Sequence, residues 1–183
     1  MVNKYGVDPK FAGSIPALLP FGTIILTPLF GNIYDRKGKG ASIMLLGSVM
    51  LLVVHSFFSV PAFNSSVVAV ILIILLGITF SLVPSAMWPS VPKIIPEKQL
   101  GTAYALIFWV QNWGLMGMPL LIGIVLEKYC RVMDDVGQFS HYNYTIPMML
   151  FAACGLLAIL FALWLKAEDK QKQYGLEMPN IKK

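Results

Sequence analysis

The stretch Gly31-Asn32-Ile33-Tyr34-Asp35-Arg36-Lys37-Gly38-Lys39-Gly40 (GNIYDRKGKG) packs four charges and three glycines into ten positions. The 24 residues from Phe11 to Tyr34 hold no Asp, Glu, Lys or Arg, and neither do the 52 from Ala41 to Pro92. A compact charged turn between two greasy runs is what a chain needs when it leaves a bilayer and re-enters it. The rest of the composition agrees. The 183 residues are 57% hydrophobic and 13% charged, against about 25% charged in soluble domains. So few charges cannot cover a water-facing surface.

Crossing a hydrocarbon core of about 30 Å takes roughly 20 apolar residues as a helix. Working outward from the turn, the first span covers about residues 12–34. The long run after it is split by the turn signal Pro61-Ala62-Phe63-Asn64-Ser65-Ser66 into spans at about 42–60 and 66–91. A fourth span falls at about 101–126 and a fifth at about 145–165. The expected class is an all-α membrane protein with five transmembrane helices. The runs do not alternate with period two, which excludes a membrane barrel, and the first is too long for a secretory leader.

Ten Lys and Arg lie in Asp35–Gly40, Lys93–Lys98 and the tail from Lys166. Four lie on the other side, at Lys4, Lys10, Lys128 and Arg131. The positive-inside rule therefore predicts a cytoplasmic turn, an external or luminal N-terminus and a cytoplasmic C-terminus. The net charge of +5 is then topological, not a sign of nucleic acid. The tail after Lys166 is of mixed charge and is expected to fray. Cys130 falls in an outer loop and Cys154 inside the last span, at depths that do not suit a disulfide.

Within the spans, Gly77, Ser81 and Ser85 recur every fourth residue, as in a helix-packing stripe. Ser81, Ser85 and Trp88 share one face, near Pro84 and Pro89; that face suits either packing or a cavity wall. The fourth span carries Tyr104, Gln111 and Asn112 near mid-membrane, where amides need partners. Helix–helix bonding and a polar cavity both meet that need. His55 is ionisable at membrane depth but lies six residues from Pro61, near the outer interface. Pro16, Pro20 and Pro28 favour a bent first span. No Asp, Glu, Lys or Arg lies inside any span. HExxH, GxSxG, P-loop and CxxC patterns are all missing from the sequence, so an enzyme is not expected and neither metal nor cofactor is implied.

The turn resembles the loop signature of the major facilitator superfamily, G-x-x-x-D-R-x-G-R/K-R/K. Gly31, Asp35, Arg36, Gly38 and Lys39 match; Gly40 stands where a second basic residue is usual. In that family the loop joins the second and third helices of each six-helix half. The resemblance implies helices 8–12 of a twelve-helix carrier, with the first helix of this half and the N-terminal half absent. The stretches Phe80–Pro89, Gly101–Tyr104 and Gln111-Asn112 are similar to a branch containing an animal lysosomal dipeptide carrier and bacterial relatives. That implies transport of a small organic solute by alternating access, in a bacterial cytoplasmic membrane or a lysosomal one. Ser85, Trp88, Tyr104, Gln111 and Asn112 would face the substrate cavity. Gly31, Asp35, Arg36, Gly38 and Lys39 would form the gating loop, with Asp35 meeting a helix N-terminus of the other half. The implied partners are a small-molecule substrate, the bilayer and that other half. The alternative is a five-span scaffold or accessory subunit without transport activity.

Overall fold

A computed structural model describes residues 2–181. Five long helices carry the fold: α3 Ser14–Lys37, α4 Gly40–Ser59, α5 Ser66–Ile94, α6 Leu100–Tyr129 and α7 Thr145–Lys172. Two short ones, α1 Val2–Tyr5 and α2 Pro9–Ala12, precede them. All five long helices are long and apolar enough to cross a bilayer, and the protein is an integral, multi-pass membrane protein. The shortest, α4, has 20 residues and rises about 30 Å. The prolines do not break these helices: α3 runs on through Pro20 and Pro28, α5 through Pro84, Pro89 and Pro92, and α6 through Pro119.

Helix α4 lies between α5 and α7, and α3 packs on α5. Small residues let the backbones close up. A Cβ added at Gly47 would stand 2.7 Å from Val83 Cγ2, and one at Gly155 would stand 2.9 Å from Leu52 Cα. The hydroxyls inside this packing turn back on their own helices. Ser48 donates to Met44 O, Thr79 to Leu75 O and Ser81 to Gly77 O, all at 2.8–2.9 Å. Small polar side chains can therefore sit in an apolar interior with no distant partner. At the end away from the charged turn, Tyr5 and Val7 join Val54, Phe58, Ala69, Leu72 and Ile73 in one core cluster.

Helix α6 is different. None of its residues is buried. It meets α5 through Trp88, whose ring stacks on Phe108 at 5.0 Å and lies 5.9 Å from Tyr104.

The connections depart from expectation in two places. The segment between α6 and α7 forms a hairpin, β1 Arg131–Met133 against β2 Phe139–Tyr142. Its turn is held by Asp134 Oδ1, which accepts from the amides of Val136 and Gln138, and by Gly137 at φ +78°. The tail after Lys166, expected to fray, instead continues α7 to Lys172 and then folds back across the charged turn. The reason is chemical: the turn offers unpaired backbone groups, and the tail supplies their partners.

Candidate functional site

The α3–α4 turn sets a helix C-terminus beside a helix N-terminus. The first end leaves carbonyls without intrahelical partners, the second leaves amides. Within the turn, Gly38 N donates to Tyr34 O at 2.7 Å. Gly38 (φ +73°) and Lys39 (φ +66°) both take left-handed conformations to reverse the chain. Such a φ is easy for glycine and costs lysine about 1–2 kcal/mol.

The segment 173–181, here called the strap, completes the rest. At the α3 end, Asn180 N and Ile181 N both donate to Asp35 O at 3.0 Å, and Asn180 Nδ2 donates to Asp35 Oδ1 at 2.7 Å. At the α4 end, Lys39 N donates to Glu177 O at 3.0 Å and Gly40 N to Leu176 O at 2.9 Å. Glu177 Oε1 accepts from Ser42 N at 2.9 Å, and both carboxylate oxygens accept from Ser42 Oγ. A carboxylate in the first turn of a helix also complements its dipole. Lys166 Nζ donates to Ser42 Oγ at 2.7 Å.

Beneath the strap, Leu176 and Tyr34 have no exposed surface. Lys93, from the end of α5, donates to Gly175 O at 3.0 Å and Met178 O at 2.8 Å. Its ammonium also sits 5.1 Å from the centre of the Tyr34 ring. Asp169 Oδ1 accepts from Leu176 N at 2.9 Å. The turn, the end of α5 and the end of α7 are thereby tied at one end of the molecule. Gly38 and Gly40 leave the strap its room. A Cβ at Gly38 would overlap the Glu177 carbonyl, and one at Gly40 would come within 2.7 Å of the Tyr34 ring and 2.9 Å of Leu176 O.

Among the five loop candidates, Asp35, Gly38 and Lys39 touch the strap. Arg36 is exposed and donates through Nε to Asn32 Oδ1 at 2.9 Å. Gly31 faces open space. The five cavity candidates divide. Trp88 and Tyr104 meet, with Tyr104 Oη 3.4 Å from Trp88 O. Ser85 is buried and donates to Leu82 O at 2.7 Å. Gln111 and Asn112 are exposed on α6, Asn112 bonding only to its own helix at Phe108 O, 2.7 Å away. His55 is packed against Phe151 at 5.3 Å, its Nδ1 2.9 Å from Leu51 O. It lines an apolar cavity of about 340 Å³ at the opposite end, with Lys4, Tyr5 and Tyr144. Lys4 there reaches Phe58 O and Val60 O, and burial pushes the Lys4 ammonium down and the Tyr5 phenol up from their ordinary values.

Tyr34, Lys93, Leu176 and Glu177 were not singled out from the sequence. The sequence does mark where α7 stops, since Gly175 and Pro179 follow its last turn; the strap itself is a turn, with Met178 N donating to Gly175 O at 3.1 Å.

Comparison with known proteins completes the picture. The family model described as Major Facilitator Superfamily matches residues 1–180. The zebrafish lysosomal dipeptide transporter MFSD1 is 28% identical over 97% of this chain and 35% of its own length. The bovine protein of the same name is 31% identical over 86% of this chain and 30% of its own. The Escherichia coli inner membrane transport protein YdiN is 24% identical over 87% of this chain and 35% of its own. The chain thus spans about a third of the length of the curated relatives it matches. Five apolar helices, a glycine-bound charged turn at one end and a family match from end to end agree: the chain belongs to the Major Facilitator Superfamily.

Proposed function

We propose that the chain is helices 8–12 of a twelve-helix carrier that moves a small organic solute, dipeptides or similar compounds, by alternating access. The observation that carries this reading is the state of α6. It has no buried residue, yet places two amide side chains, Gln111 and Asn112, on its open middle. Amides in hydrocarbon are costly without partners, so this surface calls for protein or a watered cavity. A first helix of this half and a second half of the carrier would provide both. The match to transporters over a third of their length supports the same arrangement.

In this reading the charged turn lies in the cytoplasm and Asp35 belongs to a latch between the halves. Ser85, Trp88, Tyr104, Gln111 and Asn112 belong to the cavity wall. The transporter-named relatives support a carrier rather than an enzyme. The test is uptake by proteoliposomes holding the full-length product, screened over dipeptides, amino acids, sugars and organic acids. Saturable uptake of one class supports the carrier. No uptake of any class, with the chain stable and folded by itself at five spans, favours a scaffold.

A further inference from the structure

The strap makes contacts of two kinds, and they are separable. Its root is anchored by Leu176, fully enclosed, by Glu177 on Ser42 and by the Leu176 amide on Asp169. Its tip, Asn180 and Ile181, touches Asp35. Met178, Asn180 and Ile181 are exposed, so the tip can lift while the root stays docked. Asp35 is also the residue that the proposed function assigns to the latch between halves. While Asn180 Nδ2 holds Asp35 Oδ1 and the Asn180 and Ile181 amides hold Asp35 O, the tip takes up one acceptor site of the carboxylate and lies against the residue that another helix would have to approach.

We propose that residues 173–181 are a detachable strap whose tip competes with the opposite half of the carrier for the Asp35 carboxylate. The docked tip favours the state open to the cytoplasm. The lifted tip releases Asp35 to the latch and favours the state closed there. This rests on the latch reading of Asp35; the strap itself does not. The packing at Gly40 agrees with the docked strap. At Gly40, where the family loop usually carries a second basic residue, a side chain would collide with the Tyr34 ring and the Leu176 carbonyl. The departure from the pattern falls where the strap needs space.

The docking is tested on this chain in lipid nanodiscs by hydrogen–deuterium exchange. The amides of Lys39, Gly40, Ser42, Asn180 and Ile181 should exchange slowly. Glu177→Ala should speed all five at least tenfold while amides within α4 and α7 keep their protection. Asn180→Ala should speed only those at the tip. Unprotected exchange at Lys39 and Gly40 in the unaltered chain overturns the strap, and so does an unchanged rate in Glu177→Ala. General loss of protection in Glu177→Ala would mean that Glu177 holds the fold rather than the strap, and overturns it too.

Competition is tested in the full-length carrier by spin-label distances across its cytoplasmic face. Asn180→Ala should raise the closed population at least threefold, and should do nothing further in an Asp35→Asn background. An effect that persists there overturns competition, as does no effect on unaltered Asp35. If Asp35→Asn alone leaves the populations unchanged, the latch reading fails, and the exchange result still decides the strap.

Discussion

Helices α5 and α6 are nearly equal in length, 29 and 30 residues, and both are apolar enough to cross a bilayer. Eleven residues of α5 are buried and none of α6. In water such an imbalance would be costly. In a bilayer, lipid covers apolar side chains as well as protein does, so burial follows small residues and backbone fit rather than hydrophobicity. Helix α5 sets Gly77, Ser81 and Ser85 towards its neighbours. Helix α6 has Gly114, Gly117 and Gly123, yet a Cβ at any of them would meet nothing within 4 Å. In the proposed carrier these glycines would leave room for a partner helix, and the Gln111 and Asn112 amides, exposed on the same helix, would face it or the cavity.

The largest expected effect breaks this contrast in the packed region. Gly155→Leu should force α7 off Leu52 in α4 and cost about 3 kcal/mol or more, as overpacking does at its upper end. It should appear as a clear fall in the thermal midpoint in detergent. Gly114→Leu should leave that midpoint within about 0.5 kcal/mol; an equal fall would mean that α6 is packed after all. Next in size is Asp35→Asn in the full-length carrier. Losing a charge-assisted bond worth about 1.5–3 kcal/mol should lower turnover by roughly tenfold or more with little change in affinity. Equal loss of both, or of neither, removes the latch role.

Gln111→Ala sharpens the contrast from the other side. It should leave the five-helix chain as stable as before but weaken solute binding in the carrier by several-fold, as one hydrogen bond of about 1 kcal/mol would. Unchanged affinity strikes Gln111 from the cavity. Trp88→Ala probes the α5–α6 contact itself. Loss of the stack on Phe108 should cost about 0.5–1.5 kcal/mol beyond the lost contact area. Tryptophan-quenching or spin-label distances between α5 and α6 would show the separation.

The sequence revealed these regions unequally. The five helices were legible because the length of an uncharged apolar run follows directly from bilayer thickness, and charged or polar turns mark where the runs stop. Expected and observed ends agree closely at Ser66 and Thr145, and differ most at the end of α7, which continues to Lys172. The charged face of that extension looked like a tail because Lys, Glu and Asp promise solvation. Its fold depends instead on what lies opposite. Asp169 finds the Leu176 amide and Glu177 finds Ser42, 135 residues earlier in the chain. No local pattern encodes a partner that distant. The hairpin escaped for a related reason: three- and four-residue strands are too short for alternation to stand out. The polar residues of α6, Tyr104, Gln111 and Asn112, were legible as anomalies in an apolar run; that they line a cavity is the proposal made above.

The way α6 is held has a mechanical consequence. Near its start it is gripped by the aromatic trio of Trp88, Tyr104 and Phe108. At its finish it runs into the hairpin, where Asn143 N donates to Cys130 O at 2.7 Å. A rod supported at both tips and unbraced between them yields most at its centre. Between Phe108 and Cys130 that centre falls at Pro119, so a sideways push on the helix bends it most there, well beyond the amides.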